Sequence, residues 1–108
     1  EPLSLKEYTA SPNPFSPEWG EGLKLSFILT SDAATKVFLS ADIYNIQGEH
    51  VRKLAEKIPS GRDERVELVW DGATDQGNTA LNGRYVVLLD ISDGKKSKKI
   101  LKTVVLVR

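Results

Sequence analysis

Residues 23–29, LKLSFIL, alternate without a break: Leu23, Leu25, Phe27 and Leu29 fall on one side of an extended chain, and Lys24, Ser26 and Ile28 on the other. Side chains of a strand point to opposite faces with period two, whereas the apolar face of a helix repeats every three to four residues. The pattern therefore builds a half-buried strand. It recurs along the chain. Val37, Leu39, Ala41 and Ile43 share one face of a strand reaching Tyr44; Val66, Leu68 and Trp70 share another; Tyr85, Val87 and Leu89 a third. His50 to Leu54 reads as a short strand, Leu3 to Tyr8 as a short first one, and Lys99 to Val107 as the last.

Turn residues punctuate these runs. Asn45-Ile46-Gln47-Gly48 predicts a tight turn with Gly48 at positive φ; Pro59-Ser60-Gly61, Asn82-Gly83 and Asp93-Gly94 predict further reversals. The segment 9–22, TASPNPFSPEWGEG, has three prolines between positions 12 and 17. Proline lacks the ladder donor, so residues 1–22 read as an extended, proline-rich lead-in. About seven short strands at regular spacing predict an all-β, immunoglobulin-like (fibronectin-type-III-like) antiparallel β-sandwich. The 108 residues form one domain, 1–108, with enough chain for a single core.

Composition removes several chemistries. Without cysteine there is no disulfide framework, zinc–thiolate site or thiol nucleophile. Lys+Arg and Asp+Glu each number 15, so the basic excess usual in a nucleic-acid binder is missing. No apolar run approaches the ~20 residues that span a bilayer, so no membrane insertion is expected. The chain begins at Glu1 rather than Met and reads as a piece of something longer.

The stretch LVWDGATDQGNTALNGRYVVLL, residues 68–89, sets Asp, Gly and Asn between two strand-forming runs. A calcium site needs six to eight oxygens, but Asp71 and Asp75 are followed by no bidentate Glu. A glycosidase pair needs a cleft between its carboxylates, and short sandwich loops offer little. Asx-type turns, with Gly72 and Gly77 at positive φ, account for every residue in the cluster. Trp70 is expected to anchor the core, with Gly83 restarting the chain into Tyr85. His50, without a Ser or Cys partner in a recognisable motif, reads as a surface strand residue. Nothing supplies an acid/base pair, an activated nucleophile or a cofactor loop, so neither an enzyme nor a cofactor is expected.

Two sets of residues are candidates for binding. Ile28, Phe38, Val69, Val86 and Leu88 are apolar at outward positions and could form an interface with a preceding domain of the parent protein. Lys95, Lys96, Lys98 and Lys99 could meet a polyanion, or could guard an edge strand against aggregation as a solvated hairpin tip. Trp19, in a loop beside Gly20 and Gly22, either stacks on a sugar or covers one end of the core; with Tyr8 it forms the carbohydrate-binding candidate.

Together, Trp70-Asp71-Gly72, Asp75, Gly77-Asn78 and Asn82-Gly83-Arg84-Tyr85, preceded by IYNIQGEHVRKL (43–54) and SPNPFSP (11–17) and followed by KTVVLVR (102–108), resemble the FlgD-like immunoglobulin domain. They also resemble the related C-terminal modules of secreted bacterial proteins, including type IX sorting domains. The resemblance covers nearly the whole chain. It implies a non-catalytic C-terminal module of a larger exported bacterial protein, secreted or at the cell surface. Such a module docks, sorts or anchors by surface recognition, with secretion machinery or cell-surface components as partners. A carbohydrate-binding module and an assembly domain of a flagellar hook-capping protein are the alternatives.

Overall fold

The computed structural model describes residues 4–17, 22–30, 37–60, 65–92 and 96–107, without the side chains of 4 and 57–60. Trp19, Lys95 and the Asp93-Gly94 reversal lie outside them. Seven strands follow one another: β1 (Ser4–Ser11), β2 (Leu23–Thr30), β3 (Val37–Asn45), β4 (His50–Ser60), β5 (Arg65–Trp70), β6 (Gly83–Ser92) and β7 (Ser97–Leu106). They form two antiparallel sheets, β1-β2-β5 and β4-β3-β6-β7. In the constant-type immunoglobulin sandwich the fourth strand joins the sheet of the first two. Here β4 pairs with β3 in the opposite sheet, the fibronectin-type-III-like arrangement.

The alternating residues make the core. Leu23, Leu25, Phe27 and Leu29 of β2 meet Val37, Leu39, Ala41 and Ile43 of β3 and Tyr85, Val87, Leu89 and Ile91 of β6, all buried. Each fully buried Leu, Ile or Phe contributes roughly 1.5–3 kcal/mol relative to exposure.

Three elements depart from the sequence reading. β4 runs from His50 through Ser60, beyond Leu54, so Pro59-Ser60 belongs to the strand and pairs with Phe38 and Val37. Its register shifts three times against β3, which destroys the alternation that would have revealed it. Proline is tolerated there because β4 is an edge strand. β1 extends to Ser11 through a bulge: Glu7 and Tyr8 lie opposite Phe27 alone, and Glu7 has φ 52°. The bulge resets the strand's phase, so Leu5 and, beyond it, Tyr8 and Ala10 all pack on the core.

The proline-rich segment is the third. Residues 4–11 are a sheet strand, and the chain then crosses to the other sheet through cis Ser11–Pro12 and Asn13–Pro14 peptides. Phe15 N–H donates to Val105 O at 3.0 Å and Phe15 O accepts from Val107 N–H at 2.9 Å. The Asn13 carboxamide oxygen accepts from Val105 N–H at 3.0 Å. Phe15 itself is fully buried. The lead-in is thus a clamp across both sheets that plugs the core.

Candidate functional site

The loop between β5 and β6 is built around Trp70. Its ring is fully buried between Phe15 (centroids 5.4 Å apart) and Tyr85 (5.3 Å), and its indole N–H donates to Ala73 O at 2.9 Å. Aromatic pairs at these separations favour such tilted and edge-on geometries. Tyr85 O–H reaches back to Leu81 O at 2.5 Å, closing a tyrosine corner at the start of β6. Asp71 makes the expected Asx turn, accepting from Ala73 N–H at 2.9 Å. Gly72, Gly77 and Gly83 all have positive φ. Gly72 is constrained twice: φ is +83°, and a Cβ would lie 2.6 Å from Pro17 Cγ.

Asp75 does something the sequence did not reveal. Its backbone N–H donates to Val51 O at 3.0 Å, and its carboxylate accepts from Lys53 N–H at 3.0 Å, so it pins the loop to β4 rather than closing a local turn. Its other oxygen lies 3.4 Å from His50 Nδ1, while His50 Nε2 is 2.8 Å from Asp42. Lys53 Nζ lies 3.0 Å from the same Asp42 oxygen, and that hydrogen bond holds the ammonium above its usual range. The His50 ring, edge-on to Tyr44, stands between the two carboxylates. They therefore cannot converge on one ion, and among the described residues no cluster of His, Cys, Asp or Glu is arranged to hold a metal. Sequence spacing offered no signal for this group, because its members come from β3, β4 and the loop.

The outward apolar residues do not share a face. Ile28 and Val69 belong to the β1-β2-β5 sheet, and Phe38, Val86 and Leu88 to the other. Ile28 pairs with Lys6 and Arg65, and Val69 with Lys24; between them Arg65 donates to Ser26 Oγ at 2.8 Å and Lys24 meets Glu67 at 3.5 Å. On the other sheet Val86 and Leu88 adjoin, beside Tyr44 and Leu101, while the Ser40–Asp90 row separates Phe38 from them. The pattern of alternation shows which residues point outward, but only sheet assignment shows which are neighbours.

Tyr8 is half-buried, edge-on to Phe27 at 5.7 Å, with Lys102 Nζ 4.9 Å over its ring. Lys102 thus covers one face of the ring. Burial pushes its hydroxyl up to about 12. Lys96, Lys98 and Lys99 are exposed on and beside β7, an edge strand.

A cleft of about 240 Å³ opens at the end of the sandwich where the β3–β4 turn meets the start of β6. Ile46 (67% exposed) and Leu81 (77% exposed) line it with Gln47, Asn82 and Arg84, above Tyr85. Asn45 sets the turn, its carboxamide oxygen accepting from Gln47 N–H at 3.0 Å and Glu49 N–H at 2.9 Å. That the two predicted turns meet in a cleft escaped the sequence reading, although an Ile inside a tight turn and a Leu beside Asn-Gly are apolar residues that no strand face accounts for.

No protein-family model and no curated protein matches the chain. Solved structures do. The chain is similar to part of dimeric latent PorU from Porphyromonas gingivalis, with TM-score 0.73 and 18% identity over 99% of this chain and 10% of that one. It is similar to part of PorZ, described as an essential bacterial surface component of the type-IX secretion system of the same organism, with TM-score 0.57 and 20% identity over 94% and 12%. It is also similar to part of the Pseudomonas fluorescens alkylpurine DNA glycosylase AlkC bound to DNA, with TM-score 0.64 and 18% identity over 98% and 30%. What they share is the fold. At these identities, and with the chain spanning a third or less of each, an unrelated set of activities attaches to one architecture.

Proposed function

We propose that the chain is a non-catalytic accessory module of a larger exported bacterial protein, secreted or at the cell surface, where it docks, sorts or anchors by protein–protein contact. The observation that carries this reading is the likeness in fold to short portions of two much longer P. gingivalis proteins, one of them a surface component of a secretion system. The disposition of the polar groups agrees with it. Asp71, Asp75, Asp42 and His50 are engaged in holding the β5–β6 loop and β4 in place. The motif from Trp70-Asp71-Gly72 to Gly83-Arg84-Tyr85 favours the FlgD-like group within this reading.

The test is a secreted reporter carrying the chain at its C-terminus, expressed in P. gingivalis and followed by cell fractionation. Appearance of the reporter at the surface or in the medium, dependent on the chain, is the expected result. Retention in the periplasm as a folded fusion overturns the sorting role.

A further inference from the structure

The cleft between the β3–β4 turn and the start of β6 has the features of a peptide site. β6 pairs with β7 from Gly83 onward, but with β3 only from Tyr85, because β3 ends at Asn45. The backbone of Gly83 and Arg84 therefore has no strand neighbour on the side facing the turn, where an extended segment could add ladder bonds. Two lips flank this open stretch, Ile46 and Leu81, both branched aliphatics, 67% and 77% exposed, and both lining the same cleft. Part of the remaining lining is polar and uncommitted. The side chains of Gln47, Asn82 and Arg84 make no hydrogen bond or ion pair with other described residues.

Arg84 decides the charge of the occupant. Among the described residues it is the only charged one lining the cleft, and guanidinium forks match carboxylates with two parallel hydrogen bonds. Aliphatic lips suit aliphatic side chains; a sugar ring is normally received on an aromatic face, and the Tyr85 ring is buried against Trp70. We infer that this cleft binds an extended peptide segment of a partner protein in which an acidic residue is flanked by aliphatic ones. The carboxylate meets Arg84, the flanking side chains pack on Ile46 and Leu81, and the backbone lies along Gly83–Arg84. The inference rests on the proposed protein-contact role and names its site and partner chemistry.

The experiment is a titration of the ¹⁵N-labelled chain with acetyl-Ala-Leu-Asp-Leu-Ala-amide, with the Asn-for-Asp peptide and an oligogalacturonate as comparisons. Shifts confined to residues 46–48 and 81–85, weakened about tenfold with the Asn peptide and in Arg84→Gln or Leu81→Ser, are expected. Lys98→Gln, basic but remote, should bind like the unaltered chain. Shifts absent at millimolar peptide, equal for the Asp and Asn peptides, or produced by the oligogalacturonate alone overturn the inference. Both cleft substitutions are on exposed side chains, and the same spectra report whether the variants fold. Running Arg84→Gln in the reporter fusion separates the two proposals: normal sorting with lost peptide binding leaves the cleft outside sorting, whereas failed sorting of the unaltered chain with intact peptide binding removes only the sorting role.

Discussion

Trp70, the largest fully buried side chain among the described residues, fills the core's end and holds the following loop through its indole N–H. Trp70→Ala should cost about 3–5 kcal/mol in a urea melt, the range for large-to-small core changes. Trp70→Phe should recover part of the packing but not the bond to Ala73. At Gly72, Ala would meet both a left-handed backbone and Pro17, so Gly72→Ala should destabilise by about 1–3 kcal/mol, measured the same way. Tyr8 gives a prediction with a sign. Its hydroxyl is buried without a hydrogen-bond partner among the described residues, and its ionisation moves from 10.0 to about 12 on folding. The folded state thus holds its proton where the unfolded chain has released it. That contribution is complete below the unfolded pKa, and it is lost as pH rises from there through about 12. Tyr8→Phe should therefore flatten the alkaline decline in stability, seen by comparing urea midpoints near pH 9 and pH 11. It should also match or exceed the parent at neutral pH, since removing an unpaired buried hydroxyl relieves a desolvation cost of about 1–3 kcal/mol.

The β5–β6 connection behaves as a structured element because two carboxylates hold it at different ranges. Asp71 closes a turn within the loop; Asp75 fastens the loop to β4 by two backbone hydrogen bonds and the His50 contact. Asp71→Ala should cost about 1 kcal/mol, the net value of one local bond. Asp75→Ala should cost more, roughly 1.5–3 kcal/mol, because its carboxylate is less exposed than that of Asp71 and holds two groups of β4, the Lys53 amide and His50. The two are told apart by hydrogen exchange: the Lys53 amide should lose protection in Asp75→Ala and keep it in Asp71→Ala. The sequence announced that this loop is ordered, through its Asp and Gly spacing. It could not announce the anchor, because the Lys53 amide lies 22 positions away along the chain.

Across the whole molecule, the four outer strands β1, β5, β4 and β7 leave sheet edges, which a protein must guard against pairing with other chains. On the β7 edge stand Lys98 and Lys99, both exposed, where charge would oppose such pairing. Replacing both by Val should leave the melting midpoint nearly unchanged and raise the rate of aggregation followed by light scattering. The segment after β1 leaves that sheet and pairs with the C-terminal end of β7, where it inserts Phe15 and covers part of the β7 edge. Phe15→Ala should cost about 3–5 kcal/mol, although the residue sits in what reads as a loop. In PorU, PorZ and AlkC the same architecture forms part of a longer chain.

The amino-acid sequence alone determined the fold class, the faces of β2, β3, β5 and β6, the turn at Asn45–Gly48 and the buried role of Trp70. Each of these follows from interactions over a few residues: the period of the strand, the φ freedom of glycine, the side-chain oxygen of an Asx turn. Only the tertiary structure decided the length of β4, whose register shifts hide its period, and the burial of Phe15 behind two cis prolines. It alone divided Ile28 and Val69 from Phe38, Val86 and Leu88, brought Asp75 and Asp42 to the two sides of His50, and set Ile46 opposite Leu81 across an open strand end. These depend on which sheet each strand joins. Period-two alternation is the same on either sheet, so no local pattern encodes that choice.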